Sequence, residues 1–381
     1  MPISKKIFFI SLSLFCIALL FFGIYNLAFK KPAPPTPVTE QKAPAIIAPV
    51  VPPKVSAEPI VAISDEAVLA PTLTGDATAL KYYAKNSGRV YQIDFDGNSK
   101  RTLSDKELIG LSAALWSPDK NKVITKITSA GVTKFSYYNY LELKNTTLGT
   151  NVEEATWQTG GNRILYKYSD PKIKKRTLNT SDPDGANWKK LTEFAVPSVF
   201  AQVPQSGLVS FWNKPDAFFE TTLKTIPLIG GEEKVLLKGL FGADYLWNNN
   251  GTMALVSHTD TKGGTKIQLS LINSNGGELR NLNLPSLVSK CVWLKDNKTV
   301  YCAMPGEIPL SAIIPNDYDQ EKFHTADTFW KINTATGEKS RIIDLNKITG
   351  KYDANNLFLD TTESFLFFTN RIDGKLYRIT L

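Results

Sequence analysis

The chain has 381 residues and a formal net charge of +8, with 14 Tyr, 20 Phe and 7 Trp but only 2 His and 3 Cys. Aromatic and β-branched residues favour strands, and the scattered Gly, Asn, Asp and Pro favour turns between them. This composition predicts an all-β body, leaves almost no ligands for multi-histidine metal sites, and gives no reason to expect a cofactor.

The positive charge is spread along the chain. Residues 1–60 contain six Lys and two Glu, a net charge of +4, and the remaining chain contains 38 basic and 34 acidic residues, also +4. A small excess without a basic stripe argues against nucleic-acid binding.

The N-terminus contains an uncharged apolar run at 7–29, which at 1.5 Å per residue can cross a hydrocarbon core of roughly 30 Å. It predicts a retained transmembrane anchor behind a cytoplasmic tail at 1–6. A cleaved signal peptide is the alternative, although its apolar region would be about 7–15 residues long. Cys16 lies in the middle of the run and is interpreted as a lipid-facing or packing residue.

Residues 30–58 are rich in Pro and Ala and show no hydrophobic periodicity. Such a segment cannot build a core and predicts an extended linker of about 3 Å per residue. Lysines flank the anchor on both sides, so the charge rule for orientation is nearly balanced. The linker favours a single-pass protein of the cell membrane, with a cytoplasmic N-terminus and an extracytoplasmic body.

The body repeats one pattern, in which a Trp precedes a polar turn and a second strand. Its copies are ALWSPDKNKV at 114–123, ATWQTGGNRI at 155–164, YLWNNNGTMAL at 245–255, CVWLKDNKTV at 291–300, a degenerate copy at 199–211 and a weak copy at 357–366. The spacing is about 45 residues, which is typical of four-stranded propeller blades. We expect Trp116, Trp157, Trp247 and Trp293 to fill the wedges between blades.

Each copy is followed by a second hairpin with a Gly or Asn turn, so two hairpins make one blade. The sequence therefore predicts a seven-bladed β-propeller over residues 59–381. The blades fall at roughly 66–105, 110–149, 152–193, 196–238, 243–283, 288–344 and 352–381. The last blade has three strands before the chain stops. We expect the segment 59–64 to complete it by pairing with 375–381, the alternative being that 59–64 merely ends the linker.

The stretch Trp116–Asp119 resembles the Trp-Ser-Pro-Asp-Gly repeat of TolB-type bacterial propellers, with Lys120 in place of the usual Gly. The stretches VYQIDFDGNSKRTLS at 90–104 and SDPDGANWKKLTE at 181–193 are similar to the continuation of that repeat. The resemblance implies an exported β-propeller of the cell envelope that mostly binds proteins.

Catalytic motifs are not found in the sequence: it has no Gly-x-Ser-x-Gly elbow, no P-loop and no dinucleotide fingerprint. We therefore assign no catalytic residue and no metal ligand. The acidic stretches at 94–98 and 182–187 lack the full calcium-loop pattern and are interpreted as hairpin turns.

Cys291 and Cys302 lie in a hairpin in which residue i faces residue 593 − i, so that Trp293 opposes Val300. Opposed Cα atoms in antiparallel strands are about 4.5–5.5 Å apart, within reach of a disulfide. Two buried thiols are the alternative. In either case the role is structural.

The largest departure from the repeat is the long connection at 304–327 in the sixth blade. Three alternatives remain open: a packed loop or plug over the channel, a partner-binding surface, or a catalytic or metal cluster. The residues of interest in and beside it are Asp317, Tyr318, Asp319, Glu321, His324 and Trp330.

Other connections are expected at the same face. The connection at 169–177 carries Lys172, Lys174, Lys175 and Arg176, which could meet an acidic polymer or protein, or could simply be solvated. His258 precedes a further connection, at 258–264.

These observations favour a monomeric, membrane-anchored propeller that acts as a protein-interaction or envelope scaffold, with an envelope protein or polymer as partner. The alternative is an envelope hydrolase for peptide or glycan, with the acidic residues of 305–327 and His258 near the channel mouth.

Overall fold

The computed structural model describes residues 58–381 except 197 and 206, together with three isolated helical positions, 15, 17 and 19. The β region belongs to a unit that spans Ser56–Leu381, and Met1–Val55 forms a separate unit. The predicted anchor at 7–29 and linker at 30–58 fall almost entirely outside the described residues. Within the described part, no helix has the length and apolar character needed to cross a membrane.

The described residues from 58 onward are almost entirely strands and turns. The strands are β1 (Ile60–Ala62), β2 (Val68–Leu73), β3 (Leu80–Ala84), β4 (Val90–Ile93), β5 (Arg101–Ser104), β6 (Leu111–Trp116), β7 (Lys122–Ser129), β8 (Val132–Asn139), β9 (Lys144–Thr147), β10 (Val152–Trp157), β11 (Ile164–Asp170), β12 (Lys175–Ser181), β13 (Lys189–Phe194), β14 (Val199–Gln205), β15 (Leu208–Asn213), β16 (Glu220–Pro227), β17 (Lys234–Trp247), β18 (Met253–Thr259), β19 (Ile267–Asn273), β20 (Arg280–Asn281), β21 (Cys291–Trp293), β22 (Thr299–Met304), β23 (Thr328–Asn333), β24 (Lys339–Arg341), β25 (Ala354–Leu359), β26 (Phe365–Asn370) and β27 (Leu376–Thr380). The helical elements are α1 (Asn316–Asp319) and two 3-10 turns, Val288–Lys290 and Leu345–Lys347.

Hydrogen bonding joins the described strands into antiparallel sheets of consecutive strands. Four-stranded sheets are formed by β2–β5, β6–β9, β10–β13, β21–β24 and by β25, β26, β27 and β1, and a seven-stranded sheet is formed by β14–β20. The first half of β17 pairs with β16, and its second half pairs with β18, so two four-strand groups share this strand. Because of that sharing, the count of seven separate blades stays a prediction.

The last sheet is completed by the first strand of the β region. β1 pairs with β27 in the register Ile60 to Ile379, Val61 to Arg378 and Ala62 to Tyr377. The predicted pairing of 59–64 with 375–381 is confirmed.

Apolar side chains fill the space between successive groups of strands. Seven clusters of buried residues each combine side chains from two neighbouring groups, and one of them joins the last sheet to the first through Phe367 and Tyr82. Among the described residues the groups therefore contact one another in a closed circuit.

The repeated tryptophans lie between neighbouring groups, as the sequence predicts. The indole nitrogen donates to a carbonyl oxygen of the preceding innermost strand at Trp116, Trp157 and Trp293, with N···O distances of 2.9, 2.7 and 3.1 Å. Trp247 instead donates to the Ser210 hydroxyl at 3.1 Å. These side chains are consequently structural.

The turn after Trp116 tolerates a lysine in place of the glycine of the resembled repeat. The Asp119 carboxylate accepts the Asn121 amide at 3.1 Å and also bonds to the Ser117 hydroxyl. Lys120, which stands where the resembled repeat has Gly, adopts a φ of 63°. The hydrogen-bonded turn thus holds a lysine in a conformation that glycine adopts at lower cost.

The cysteine hairpin has the predicted register, with Cys291 opposite Cys302 and Trp293 opposite Val300. The two sulfur atoms are bonded at 2.07 Å. The acidic stretch 182–187 is the turn between β12 and β13, in agreement with its interpretation as a hairpin turn.

Strand direction defines two ends of the β region. Within each group, the second and third strands are joined at one end, where the links between groups also lie; we call this end the loop face. The opposite end, which carries the remaining hairpin turns, is the turn face. β1 runs antiparallel to β27, a third strand, so the chain enters β1 at the turn face.

The pairing of β1 with β27 yields a first prediction. Ile60 is 4% exposed and packs in the cluster between the last two groups, so Ile60→Ala should lower the free energy of unfolding by about 2–4 kcal/mol. Denaturant unfolding measures this loss.

Ala62 on the same strand is exposed and provides the control. Ala62→Ser should change the free energy of unfolding by less than about 0.5 kcal/mol. Equal effects of the two substitutions would contradict the packing of β1.

Candidate functional site

The longest connection at the loop face is residues 305–327, between β22 and β23, which we call the covering segment. Its ends are joined where Gly306 and Ala326 exchange backbone hydrogen bonds of 3.0 and 3.1 Å. Its middle forms α1 and an apolar cluster that buries Ile314 and Tyr318. The covering segment is therefore packed against the sheets and is not an open loop.

The covering segment is attached to three other connections of the loop face. The Ala217 amide donates to Asn316 Oδ1 at 2.8 Å, and the Ile314 amide donates to the Gly264 carbonyl at 3.3 Å. Arg371 donates to a carbonyl oxygen of α1 at 3.0 Å. Contacts with several groups of strands hold the segment in one position.

A buried ionic cluster lies below the covering segment. Lys290 Nζ is 2.7 Å from Asp327 Oδ2 and 2.7 Å from Asp353 Oδ1, and all three side chains are fully buried. Lys290 also donates to the Thr325 hydroxyl at 3.1 Å and to the Ala354 carbonyl at 3.0 Å. Because charges are costly to bury unless they are paired and hydrogen-bonded, this cluster fixes how the segment joins the last sheet.

Tyr318 and His324, both predicted from the sequence, meet at Asp353. The Tyr318 hydroxyl donates to Asp353 Oδ1 at 2.6 Å, and His324 Nδ1 lies 3.0 Å from Oδ2. Burial alone would raise the pKa of Asp353, but the Lys290 charge and these hydrogen bonds outweigh it and lower the pKa to about 2. The His324 side chain is 39% exposed, so the cluster reaches solvent through its imidazole.

The two predicted acidic residues of α1 differ in role. Asp317 accepts the Ile313 amide at 2.8 Å and pairs with Lys322 at 2.6 Å, which lowers its pKa. Burial raises the pKa of Asp319, and the charges of Lys214 and Arg371 only partly oppose it. Asp317 therefore shapes the helix, whereas Asp319 is free to meet a ligand.

A cavity of about 920 Å³ lies between α1 and the connection from β15 to β16; we call it the face groove. Asp319 and Gln320 line it on the α1 side. Its aromatic lining comes from Phe194, Phe211, Trp212 and Phe219. Phe219 is 69% exposed, so the groove presents a large apolar side chain at its rim. Concave, mostly apolar sites with a few polar groups are typical of ligand binding.

A second cavity, of about 340 Å³, is lined by strands β10, β14 and β17 and shares Trp212 with the face groove. Asp244 lines it and accepts hydrogen bonds from Trp212 Nε1 at 2.9 Å and from the Tyr245 amide at 3.0 Å. Burial and, to a smaller extent, the charge of Asp319 outweigh these hydrogen bonds and raise the pKa of Asp244 to about 6. A half-buried carboxyl of raised pKa in a cavity is a candidate functional group.

His258 and Trp330 do not join this site. His258 is 6% exposed within β18, where its nitrogen atoms lie 3.1 Å from the Thr259 carbonyl and 3.1 Å from the Ser270 hydroxyl. Burial lowers its pKa. Trp330 lies on β23, donates to the Thr328 hydroxyl at 2.9 Å and packs under Arg341. The sequence could place both residues on strands but could not tell which way they point.

The predicted basic residues lie at the loop-face end of β11 and β12. Lys172 and Lys174 are exposed in the turn, and Lys174 has a φ of 52°. Lys175 Nζ is 3.2 Å from Glu193, and Arg176 is half-buried. The run therefore divides into turn residues and residues that face neighbouring strands.

Sequence reasoning did not find Lys290, Asp327, Asp353 or Asp244. Each is an isolated charged residue beside an apolar strand, and this placement was the one sequence feature that could have indicated a buried charge. Their partners come from distant parts of the chain, so only the fold shows that Lys290 meets two carboxylates.

No metal site is formed by the side chains that the structure describes, since none of their His, Cys, Asp and Glu clusters has three suitable members.

No protein-family model and no curated protein sequence matches the chain. Solved structures do match its fold. An oligogalacturonate lyase in complex with manganese is similar with a TM-score of 0.61 and 11% identity, over 84% of this chain and 93% of the lyase. A sequence identity this low indicates a shared fold and nothing about a shared activity.

Two further structures support the same architecture. The β-propeller domain of the trilobed protease from Pyrococcus furiosus, described as having an open velcro topology, matches with a TM-score of 0.52 and 12% identity, over 82% of this chain and 95% of the domain. The Cps50 (Swd1) β-propeller domain from Myceliophteria thermophila matches with a TM-score of 0.52 and 10% identity, over 84% and 99%. The chain is thus a nearly all-β protein with a propeller fold.

TolB from Acinetobacter baumannii is also similar, with a TM-score of 0.41 and 16% identity, over 56% of this chain and 56% of TolB. That overlap is too limited to assign the family.

The raised pKa of Asp244 predicts a stability change with a defined sign. Its carboxyl ionises near pH 6 when folded and near pH 3.8 when unfolded, so the cost of the buried charge is full above pH 6 and absent below about pH 4. Asp244→Asn should therefore raise the free energy of unfolding by about 2 kcal/mol at pH 7.5 and leave it unchanged at pH 4. Denaturant unfolding at both pH values measures this.

Asp296 provides a control of opposite sign. Burial raises its pKa, but hydrogen bonds from Thr299 and Lys298 outweigh burial and lower it. Asp296→Asn should destabilise the protein at pH 7.5. A destabilising Asp244→Asn at pH 7.5 would contradict the burial of an unpaired charge.

Proposed function

We propose that this protein is a membrane-anchored, extracytoplasmic, seven-bladed β-propeller scaffold that binds a partner protein in the face groove. The observation that carries the proposal is the groove itself. This cavity is lined by aromatic residues, and α1 forms one of its walls. The covering segment, which contains α1, is held in place by contacts with three other connections of the loop face.

Seven blades are supported by the seven apolar clusters between groups of strands, with the shared β17 belonging to two blades. Membership of the TolB-type propellers is supported by the stretch Trp116–Asp119, whose Trp and Asp make the contacts described above.

The lining of the face groove suggests the chemistry of its partner. Phe219 at the rim is 69% exposed and offers apolar area to an inserted side chain, and aromatic residues of this kind dominate binding energy at interfaces. Asp319 is an exposed residue whose raised pKa a cation would lower again. We infer a partner segment with an apolar anchor next to a Lys or Arg.

The proposed location rests on the sequence of the N-terminus and on two features of the β region. The apolar run at 7–29 supports an anchor, and 30–58 supports a linker. The bonded pair Cys291–Cys302 fits an oxidising compartment. The chain enters β1 at the turn face, the end of the β region opposite the loop face.

The proposed partner binding is tested by capture. Full-length protein in its own membrane should cross-link to a discrete partner, and Phe219→Ala or Asp319→Asn should each reduce that product by about tenfold, since each removes a contact worth about 1–2 kcal/mol. Quantitative mass spectrometry of the cross-linked product measures the reduction.

Ile229→Ala is the matched control, because Ile229 is an apolar side chain on the turn face that is 80% exposed, against 69% for Phe219. It should leave the product unchanged. A product that survives both groove substitutions would contradict the proposal. Fragments released from envelope material by the wild-type chain but not by His324→Ala would instead favour a hydrolase that uses the His324 and Asp353 pair.

The proposed topology gives a separate prediction. A protease added outside intact cells should cut within 30–58 and release the β region, while an N-terminal tag stays protected. Immunoblotting of both fragments measures this. Protection of the whole chain, or release of the tag with the β region, would contradict the topology.

A further inference from the structure

A groove of about 550 Å³ lies between the sheets β6–β9 and β10–β13 and shares the lining residue Glu193 with the face groove. The outer strand β9 has four residues and pairs only with the second half of β8, so the sheet β6–β9 leaves part of its neighbour uncovered. Leu148 and Gly149 form one wall, and a face of the sheet β10–β13 forms the floor. We call this cavity the inter-sheet groove.

The floor is a regular array of side chains. Strand alternation points Tyr166 and Tyr168 on β11 to the same side, and their cross-strand neighbours on β12 are Asn179 and Thr177. Lys190 on β13 continues the row that begins at Tyr166. The groove thus offers two aromatic rings beside a row of hydrogen-bonding groups.

One floor residue carries an unfilled hydrogen-bonding position. Asn179 is 2% exposed, and its Nδ2 donates to the Thr177 hydroxyl at 2.9 Å. Its Oδ1 is buried and has no hydrogen-bond partner among the described residues. Since buried polar atoms are almost always paired, an acceptor left open beneath a cavity points to a ligand that donates to it.

Large apolar side chains mark both ends of the inter-sheet groove. Trp188, in the turn between β12 and β13, is 65% exposed, and Ile173, in the turn between β11 and β12, is 61% exposed. The seven residues of β11 separate these ends by roughly 20 Å at 3.3 Å per residue. That length suits a short linear oligomer better than a single small molecule.

The charges along the inter-sheet groove are balanced. Glu193 pairs with Lys175 at 3.2 Å and with Lys190 at 2.7 Å, and Asp170 is the remaining charged residue of the lining. Two cations and two carboxylates give a net charge of zero. A strongly ionic ligand gains little from this lining.

We propose that the inter-sheet groove binds a short neutral oligosaccharide. A sugar ring presents apolar C–H faces to Tyr166, Tyr168 and Trp188, and its hydroxyl groups donate to Asn179 Oδ1 and bond to the Thr177 hydroxyl. The two grooves share Glu193, but Phe219 and Asp319 lie outside the lining of the inter-sheet groove, so failure of partner capture leaves this assignment intact.

The test is calorimetric titration of the full-length, detergent-solubilised chain with three neutral tetrasaccharides: cellotetraose, maltotetraose and the tetramer of N-acetylglucosamine. At least one should bind with a Kd below about 1 mM. Trp188→Ala should raise that Kd about tenfold, because it removes an aromatic contact worth about 1.4 kcal/mol. Thr177→Val should also raise it, through loss of a hydrogen bond.

Ile229→Ala is again the control, since Ile229 lies in the neighbouring hairpin turn outside the groove lining, and it should leave the Kd unchanged. Tetragalacturonate provides an acidic probe. Binding of the acidic probe alone, binding of none of the neutral probes, or a Kd equally insensitive to Trp188→Ala and Ile229→Ala would each overturn the assignment.

Discussion

The packing of each group of strands onto the preceding one, through a buried aromatic wedge, is the constraint on which the rest of this structure depends. Trp116, Trp157 and Trp293 each donate an indole hydrogen bond to the inner strand of the neighbouring group. One aromatic side chain therefore buries apolar area and satisfies a main-chain acceptor in the same contact. Apolar packing between successive groups continues around the β region until the last sheet meets the first through Phe367 and Tyr82.

A closed circuit of sheets gives its connections fixed positions. The covering segment depends on these fixed positions. Its buried Lys290 cluster needs Asp327 from the segment and Asp353 from the start of the following sheet at the same time. Burying the three charged side chains of this cluster offsets much of their mutual attraction, so the cluster adds little net stability but determines which elements meet. The segment then places α1 at a set distance from the connection between β15 and β16, and the face groove is the space left between them.

The sequence predicted features that repeat or are local. The 45-residue spacing of tryptophans predicted the groups of strands, turn signals predicted the hairpins, and the two-residue period of strands predicted the register that opposes Cys291 and Cys302. The pairing of β1 with β27 followed from a missing strand. Pairs such as Lys290 with Asp353 could not be predicted, because they join positions 63 residues apart through a connection that has no counterpart in the repeat. His258 shows a second limit. Its strand could be predicted from the sequence, but the burial of the His258 side chain could not.

The central claim is that the first strand closes the circuit in one register, and paired cysteines test it most directly. Val61 and Arg378 are opposed, whereas Ala62 and Arg378 lie on adjacent positions that point to opposite sides of the sheet. Oxidation of the full-length chain carrying Val61→Cys with Arg378→Cys should give a 61–378 disulfide in peptide mass spectrometry, and Ala62→Cys with Arg378→Cys should not. Equal cross-linking of both pairs, or of neither, would contradict the account.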